Sequence, residues 1–220
     1  MVMLKNKFAI IDLNQTLQQS LVSFEDAYRI QMETLEKRIR DEIPDTLLIV
    51  EHASVYTRGR GLQWNGAERE RSLPAPGIAV IDIERGGDLT WHGPGQLVIY
   101  PIVKLGASES FAQKDILKYV RTLEEWMIQL LALYGLQGHR KDQASGVWLN
   151  DSSLFEQDQP SEKKVAALGV AVRKWVTYHG IALNVNCDLK AFHRISPCGF
   201  LPEQVTSMAV QLSGQLSGQL

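Results

Sequence analysis

The sequence predicts an α/β (α+β) domain built on a mixed sheet. Two segments carry apolar residues at helical spacing, and several short segments are rich in β-branched and apolar residues. Adjacent strand segments also recur with no helix between them, which argues against a doubly wound parallel sheet. The chain has 220 residues, 45% of them hydrophobic and 22% charged. That is enough chain for one sizeable core.

In chain order, the first helix is expected over residues 21–39. Leu21, Phe24, Tyr28, Met32, Leu35 and Ile39 recur in steps of three and four, and Pro44 closes the segment. TLLIVEH (46–52) reads as a buried strand, VYTRGRGLQWNGAERERSLPAPG (55–77) as a loop, and IAVIDIE (78–84) as a second strand. RGGDLTWHGPG (85–95) is glycine-rich, and the chain resumes as a strand in QLVIYPIV (96–103). A second helix is expected over about 111–134, with Ile116, Val120, Leu123, Met127, Leu130 and Tyr134 as its buried stripe and Gly135 as its stop. SGVWL (145–149) is a short strand and 151–163 a polar loop. Residues 165–186 form a pair of strands joined by a turn. Residues 1–210 are expected to be a single domain, and 211–220, which repeats SGQL, a disordered low-complexity tail.

Lys and Arg total 23 against 25 Asp and Glu, a formal charge of −2. This gives no support to bulk nucleic-acid binding. No apolar run approaches the roughly 20 residues that span a bilayer, and the N-terminal stretch is neither a signal nor a transit peptide. A cytoplasmic protein with no nucleic-acid or membrane partner is expected. Cys187 and Cys198 cannot form a disulfide framework.

Chemistry concentrates in a few segments. The glycines at 86, 87, 93 and 95 let backbone approach a ligand closely, and Arg85, Asp88 and His92 add polar groups. The pattern is neither a Walker loop nor a dinucleotide fingerprint. Cys198 lies in Ser196-Pro197-Cys198-Gly199, where Gly199 leaves space beside the sulfur. A lone cysteine is commonly a small core residue, and it is a nucleophile only beside a cation or base. Cys187 has no such frame. His179, Cys187, His193 and Cys198 could in principle hold zinc, but no close ligand pair is present and no metal is expected. No G-x-S-x-G serine elbow occurs.

RGGDLTWHGPGQLVIYP (85–101) closely resembles the signature of the lipoyl(octanoyl) transferases. EHASVYTRGR (51–60), VRTLEEWMIQLLALYGL (120–136), SGVWL, KVAALGVAVRKWVTYHGIALNVN and SPCG continue the resemblance in order, over about 150 residues. Departures are Trp91 where tyrosine is usual, Ala53 and Ser54 where prolines are common, Cys187 where proline or threonine is common, and a longer segment at 151–162. The resemblance implies the biotin/lipoate protein ligase fold, a mixed sheet flanked by helices. It implies transfer of an octanoyl or lipoyl group from acyl carrier protein to a lysine of lipoyl domains, the first step of endogenous protein lipoylation. The partners are then octanoyl-acyl carrier protein, the lipoyl domains of 2-oxoacid dehydrogenases and the glycine cleavage H protein, with no cofactor. It assigns the nucleophile to Cys198 and its partner to Lys164. Substrate-binding segments map to Arg85, Gly86, Gly87, Asp88, Leu89, Thr90, Trp91 and His92, to Ala167, Leu168 and Gly169, and to Gly180, Ile181 and Ala182.

The residue chemistry fits that assignment. A thioester intermediate divides acyl transfer between two protein substrates into two steps. A lysine cation favours the thiolate, and its amine can later take a proton. AALG and GIAL offer small side chains for an apolar slot. Lys163 and Lys164 are neighbours on a strand, so only one can enter the pocket. His92 and His179 are either orienting groups or structural histidines. Attraction to an acidic carrier protein would come from Arg58-Arg60, Arg140-Lys141 and Arg173-Lys174. The alternatives are an ATP-dependent lipoate or biotin protein ligase, which needs no cysteine, an octanoyl amidotransferase between lipoyl proteins, and a non-catalytic acyl-binding module.

Overall fold

A computed structural model describes residues 8–61, 75–107, 111–142, 144–151, 161–195 and 202–217. A large mixed sheet of seven strands runs in the order β1-β2-β6-β10-β9-β8-β7. Its strands are β1 (Ala9–Asp12), β2 (Thr46–Val50), β6 (Gln96–Ile102), β7 (His139–Lys141), β8 (Ala144–Asp151), β9 (Ser161–Arg173) and β10 (Val176–Asn184). Within this sheet only β1 and β2 pair in parallel. A small sheet, ordered β4-β3-β5, combines β3 (Val55–Arg58), β4 (Val80–Asp82) and β5 (Leu89–His92).

Helices cover both faces of the large sheet. α1 (Leu13–Leu17) and α2 (Phe24–Ile39) precede β2, and α3 (Ile116–Ala132) precedes β7. On one face Ala27 and Leu35 of α2 pack with Leu48, Val98, Tyr100 and Ala182. On the other, Leu123, Met127 and Leu131 of α3 pack with Val147, Val165, Leu168, Ile181 and Leu183. The split follows strand alternation, since neighbouring residues of β6 and β10 serve opposite cores. No helix among the described residues is long and apolar enough to cross a membrane.

Both helices lie rotated from the expected phase. Ser23 caps α2 by accepting the Asp26 N–H at 3.1 Å. Its buried residues are Phe24, Ala27, Gln31, Thr34, Leu35 and Arg38, while Leu21 lies outside the helix and exposed. The stripe therefore includes polar residues that apolar periodicity cannot count, because each has a fixed partner. Arg38 holds Asp45 at 2.8 Å and Asp41 at 2.5 Å. In α3 the buried line is Tyr119, Leu123, Glu124, Met127 and Leu131, with Ile116 and Tyr134 exposed. Asp115 caps its start, so residues 111–115 are not helical. Gly135 stops it at φ +77°, where the Leu136 N–H returns to the Leu131 carbonyl.

The strands differ more. β3 and β5 lie in segments read as loops, and β9 begins at Ser161, inside the expected 151–163 loop. The β9–β10 hairpin turns at Lys174 and Trp175, both at positive φ, a primed turn with neither glycine nor asparagine to mark it. The tail expected to be disordered from Gln211 instead continues a helix, α4 (Met208–Ser217), because Met208 and Leu212 pack on the α3-side core. The expectations for residues 62–74, 152–160 and 218–220 lie outside the described residues.

Candidate active site

The β9–β10 register builds the site's floor. Gly180 lies opposite Gly169, Ile181 opposite Leu168, and Ala182 opposite Ala167. Glycine faces glycine and alanine faces alanine across neighbouring strands, so one strip of the sheet carries almost no side chain. Above it lies a slot of about 430 Å³, counting its open mouth. Val98 and Tyr100 of β6 extend the floor, Thr90 and His92 of β5 form the roof, and Phe24, Ile83, Arg85 and His179 complete the walls.

The glycine-rich segment lies directly on that floor. The Gly86 N–H donates to the Val170 carbonyl at 3.1 Å. A Cβ on Gly169 would come within 2.9 Å of both Arg85 Cδ and the Gly86 carbonyl oxygen, so no side chain fits beneath the loop. Arg85 is buried and donates through Nη2 to the Thr57 carbonyl at 2.7 Å and to Thr57 Oγ1 at 3.0 Å.

Three histidines enclose this region in neutral form. Burial lowers His52 to about 4, with its Nε2 at 2.7 Å from the Tyr100 hydroxyl. Burial lowers His92 to about 3, with Nδ1 at 2.7 Å from Gln96 Oε1. His179 is lowered by burial too. It holds the left-handed conformation (φ 56°) within β10, and its backbone N–H donates to Gln31 Oε1 at 2.6 Å. Neutral rings suit an apolar ligand.

Of the residues expected to bind substrate, Arg85, Thr90, His92, Ala167, Leu168, Gly169, Gly180, Ile181 and Ala182 line the slot. Leu89 and Trp91 do not. They turn to the opposite side of β5, where Tyr56, Cys187, Phe192 and Ile195 form a separate cluster, because strand neighbours alternate. Gly86 and Gly87 are exposed on the loop, and Asp88 is buried outside the slot lining. Lys164 is buried on β9, three residues before Ala167, with its ammonium 5.4 Å from the Trp148 ring centre. Lys163 is half-buried. Cys198 lies outside the described residues. Burial pushes the Cys187 thiol up to about 12. Among the described residues, no group of three His, Cys, Asp or Glu side chains is placed to hold a metal.

Phe24, Ile83, Val98 and Tyr100 line the slot without having been singled out, and His52 stands behind Tyr100. Apolar and aromatic residues in a strand or helix carry no signal separating a ligand wall from a core. The expected basic clusters are largely committed to ion pairs. Arg58 faces Asp82 at 3.5 Å, Arg140 faces Glu125 at 2.6 Å, Lys141 faces Glu162 at 2.8 Å, and Arg173 is paired with Glu36.

A largely apolar slot floored by paired small residues and roofed by a glycine-rich segment has the form of a site that handles an acyl chain. The family model of the lipoyl protein ligase A/B catalytic domain matches residues 23–219, and the chain belongs to that family. An octanoyltransferase of Thermobifida fusca (strain YX) is 44% identical over 197 residues, 89% of this chain and 78% of the relative. One from Rubrobacter xylanophilus is 40% identical over 216 residues, 97% of this chain and 89% of the relative. A crystal structure of lipoate-protein ligase A bound with ATP shares the fold at 17% identity, with a TM-score of 0.58 over 93% of this chain and 77% of that one.

Proposed function

We propose that this chain is an acyltransferase that moves an octanoyl or lipoyl group from acyl carrier protein to the ε-amine of a lysine on a lipoyl domain. The observation that carries it is the paired Gly169/Gly180 and Ala167/Ala182 floor on the same strand as the buried Lys164. Relatives 40–44% identical bear the name octanoyltransferase.

In the first step, the Cys198 thiolate attacks the carbonyl carbon of the carrier's thioester. The tetrahedral intermediate expels the carrier thiolate, which takes a proton from the Lys164 ammonium and leaves that amine neutral, and the acyl group remains on Cys198. The Lys164 ammonium favours the Cys198 thiolate before attack. In the second step, the acceptor's amine attacks the new thioester, the C–S bond breaks, and an amide forms. Lys164 accepts the amine's proton. The acyl chain lies on the glycine–alanine floor beneath Thr90 and His92, and Arg85 fixes the loop above it. The thioester arrives activated, so no nucleotide is consumed. The reaction belongs to the cytoplasm, where both cysteines stay reduced. The acceptors are the lipoyl domains of 2-oxoacid dehydrogenases and the glycine cleavage H protein.

Intact-mass measurement after mixing with octanoyl-carrier protein tests the reading. One octanoyl group on the enzyme is expected, and it should pass to an apo lipoyl domain with nucleotide removed and a chelator present. Transfer that appears only with ATP, from free octanoate, would favour the ligase alternative.

A further inference from the structure

Glu124 is a carboxylate on the core face of α3 with no exposed surface. A buried charge is costly unless it is paired and hydrogen-bonded. Its Oε2 accepts from Arg121 Nη1 at 2.8 Å and faces Arg140 Nε at 3.3 Å. Its Oε1 accepts the backbone N–H of Gly146 at 3.1 Å.

Gly146 sits beside an irregularity in the sheet. Val147 pairs with Ala166 but Trp148 pairs with Lys164, so β9 carries an extra residue between them. Gly146 holds φ +126°. A Cβ there would lie 2.4 Å from Lys164 Cε and 3.2 Å from Lys164 Nζ. The end of the Lys164 side chain thus occupies the space a side chain at 146 would fill, with the Trp148 ring also against it.

We infer that Glu124 is a positioning residue for Lys164, acting through the Gly146 N–H: it fixes the irregular turn of β8 on which the lysine's amine rests. The inference rests on the reading of Lys164 as the partner of Cys198. Two arginines already balance the carboxylate, so the acceptor oxygen matters rather than the charge. Replacing Glu124 alone takes the shared acceptor from Arg121, Arg140 and the Gly146 N–H, and removing one partner of a buried charge cluster is destabilising. Stability is therefore read separately from turnover.

The test compares Glu124→Leu and Glu124→Gln in the full chain. The readouts are thermal stability, kcat and KM with octanoyl-carrier protein, and the pH profile of Cys198 alkylation followed by peptide mapping. Glu124→Gln keeps an acceptor for the Gly146 N–H and should hold the wild-type kcat and alkylation profile, at lower thermal stability because its NH2 faces the two arginines. Glu124→Leu should melt below wild type, with KM unchanged in the folded enzyme. Its kcat should fall about tenfold to a hundredfold, as for a displaced catalytic group, and its alkylation profile should move toward the ordinary thiol range near about 8.5. Wild-type kcat and profile in Glu124→Leu would overturn the inference, as would an equal loss in Glu124→Gln. Should the leucine variant not fold, Glu124→Asp decides, since it keeps a carboxylate for the arginines and draws the acceptor oxygen back from the Gly146 N–H; an unchanged kcat and profile there would also overturn the inference. Lys164→Ala separates the two ideas. A profile unmoved by Lys164→Ala refutes the role of Lys164 itself, whatever Glu124 does.

Discussion

Gly169 and Gly180 face each other across the β9–β10 ladder, and the Arg85–Gly86 segment lies against the first of them. The contact makes the slot's floor and loop one unit. Ala167 and Ala182, the next pair on the same face, set its depth.

Ala182→Leu should therefore shorten the slot. Its added branch should lower kcat/KM for octanoyl thioester by roughly tenfold or more, the scale set by a methylene or two in an apolar pocket. Butanoyl thioester should suffer less. The check is a chain-length series of acyl thioesters, and parallel losses across the series would contradict the assignment.

The acyl group should be found on Cys198 and not on Cys187. Burial holds the Cys187 thiol near 12, so it carries almost no thiolate at neutral pH. Peptide mapping of the trapped acyl-enzyme decides. Label on Cys187, or full activity in Cys198→Ser, would defeat the nucleophile assignment.

Lys164→Ala should cost about a hundredfold or more in turnover, the scale of lost acid–base catalysis. Lys163→Ala, altering a half-buried neighbour, should cost far less. Single-turnover measurement of each half-reaction checks this, and equal mild losses would count against the role.

The protein should lose stability as pH falls from neutrality. His52 and His92 have pKa values of about 4 and about 3 in the fold, against 6.5 for an unshifted ring. Below 6.5 the unfolded chain therefore binds protons that the folded chain refuses. The stability is complete above that value and is lost as pH drops toward 4. Each such ring contributes about 1.4 kcal/mol per pH unit within the window. Urea midpoints between pH 7 and pH 4.5 measure the slope, and His52→Gln should make it shallower. A flat profile would show that the rings gain protons in the fold.

Docking through Arg58, Arg140, Lys141 and Arg173 as the sequence suggests would make the KM for carrier protein steeply salt-dependent, but their ion pairs predict a KM that depends only weakly on salt. Each is already committed to a carboxylate, and exposed charges are screened beyond about 8 Å at physiological salt. A steep rise of KM with salt would show that cations outside these pairs steer the encounter.

The amino-acid sequence alone was enough to read the mixed α/β class, the two long helices, the β9–β10 pair and the segments that meet at the slot. These are local properties, since apolar period, glycine clusters and small-residue runs are written along the chain. Helix phase was not legible. Gln31 and Glu124 are polar yet buried, and nothing nearby in sequence announces their partners at His179 and Gly146. β3 and β5 were hidden for a related reason: short strands beside glycines form because a partner strand is there, not because propensity demands it. The division of β5 into a slot face, Thr90 and His92, and a core face, Leu89 and Trp91, came only from the pairing of Val55–Arg58 with it. What the chain determined by itself was which residues are small, apolar or ionisable. Which of them share a cavity was decided by strand register, because pairing across a sheet brings together residues whose separation in sequence carries no trace of their contact.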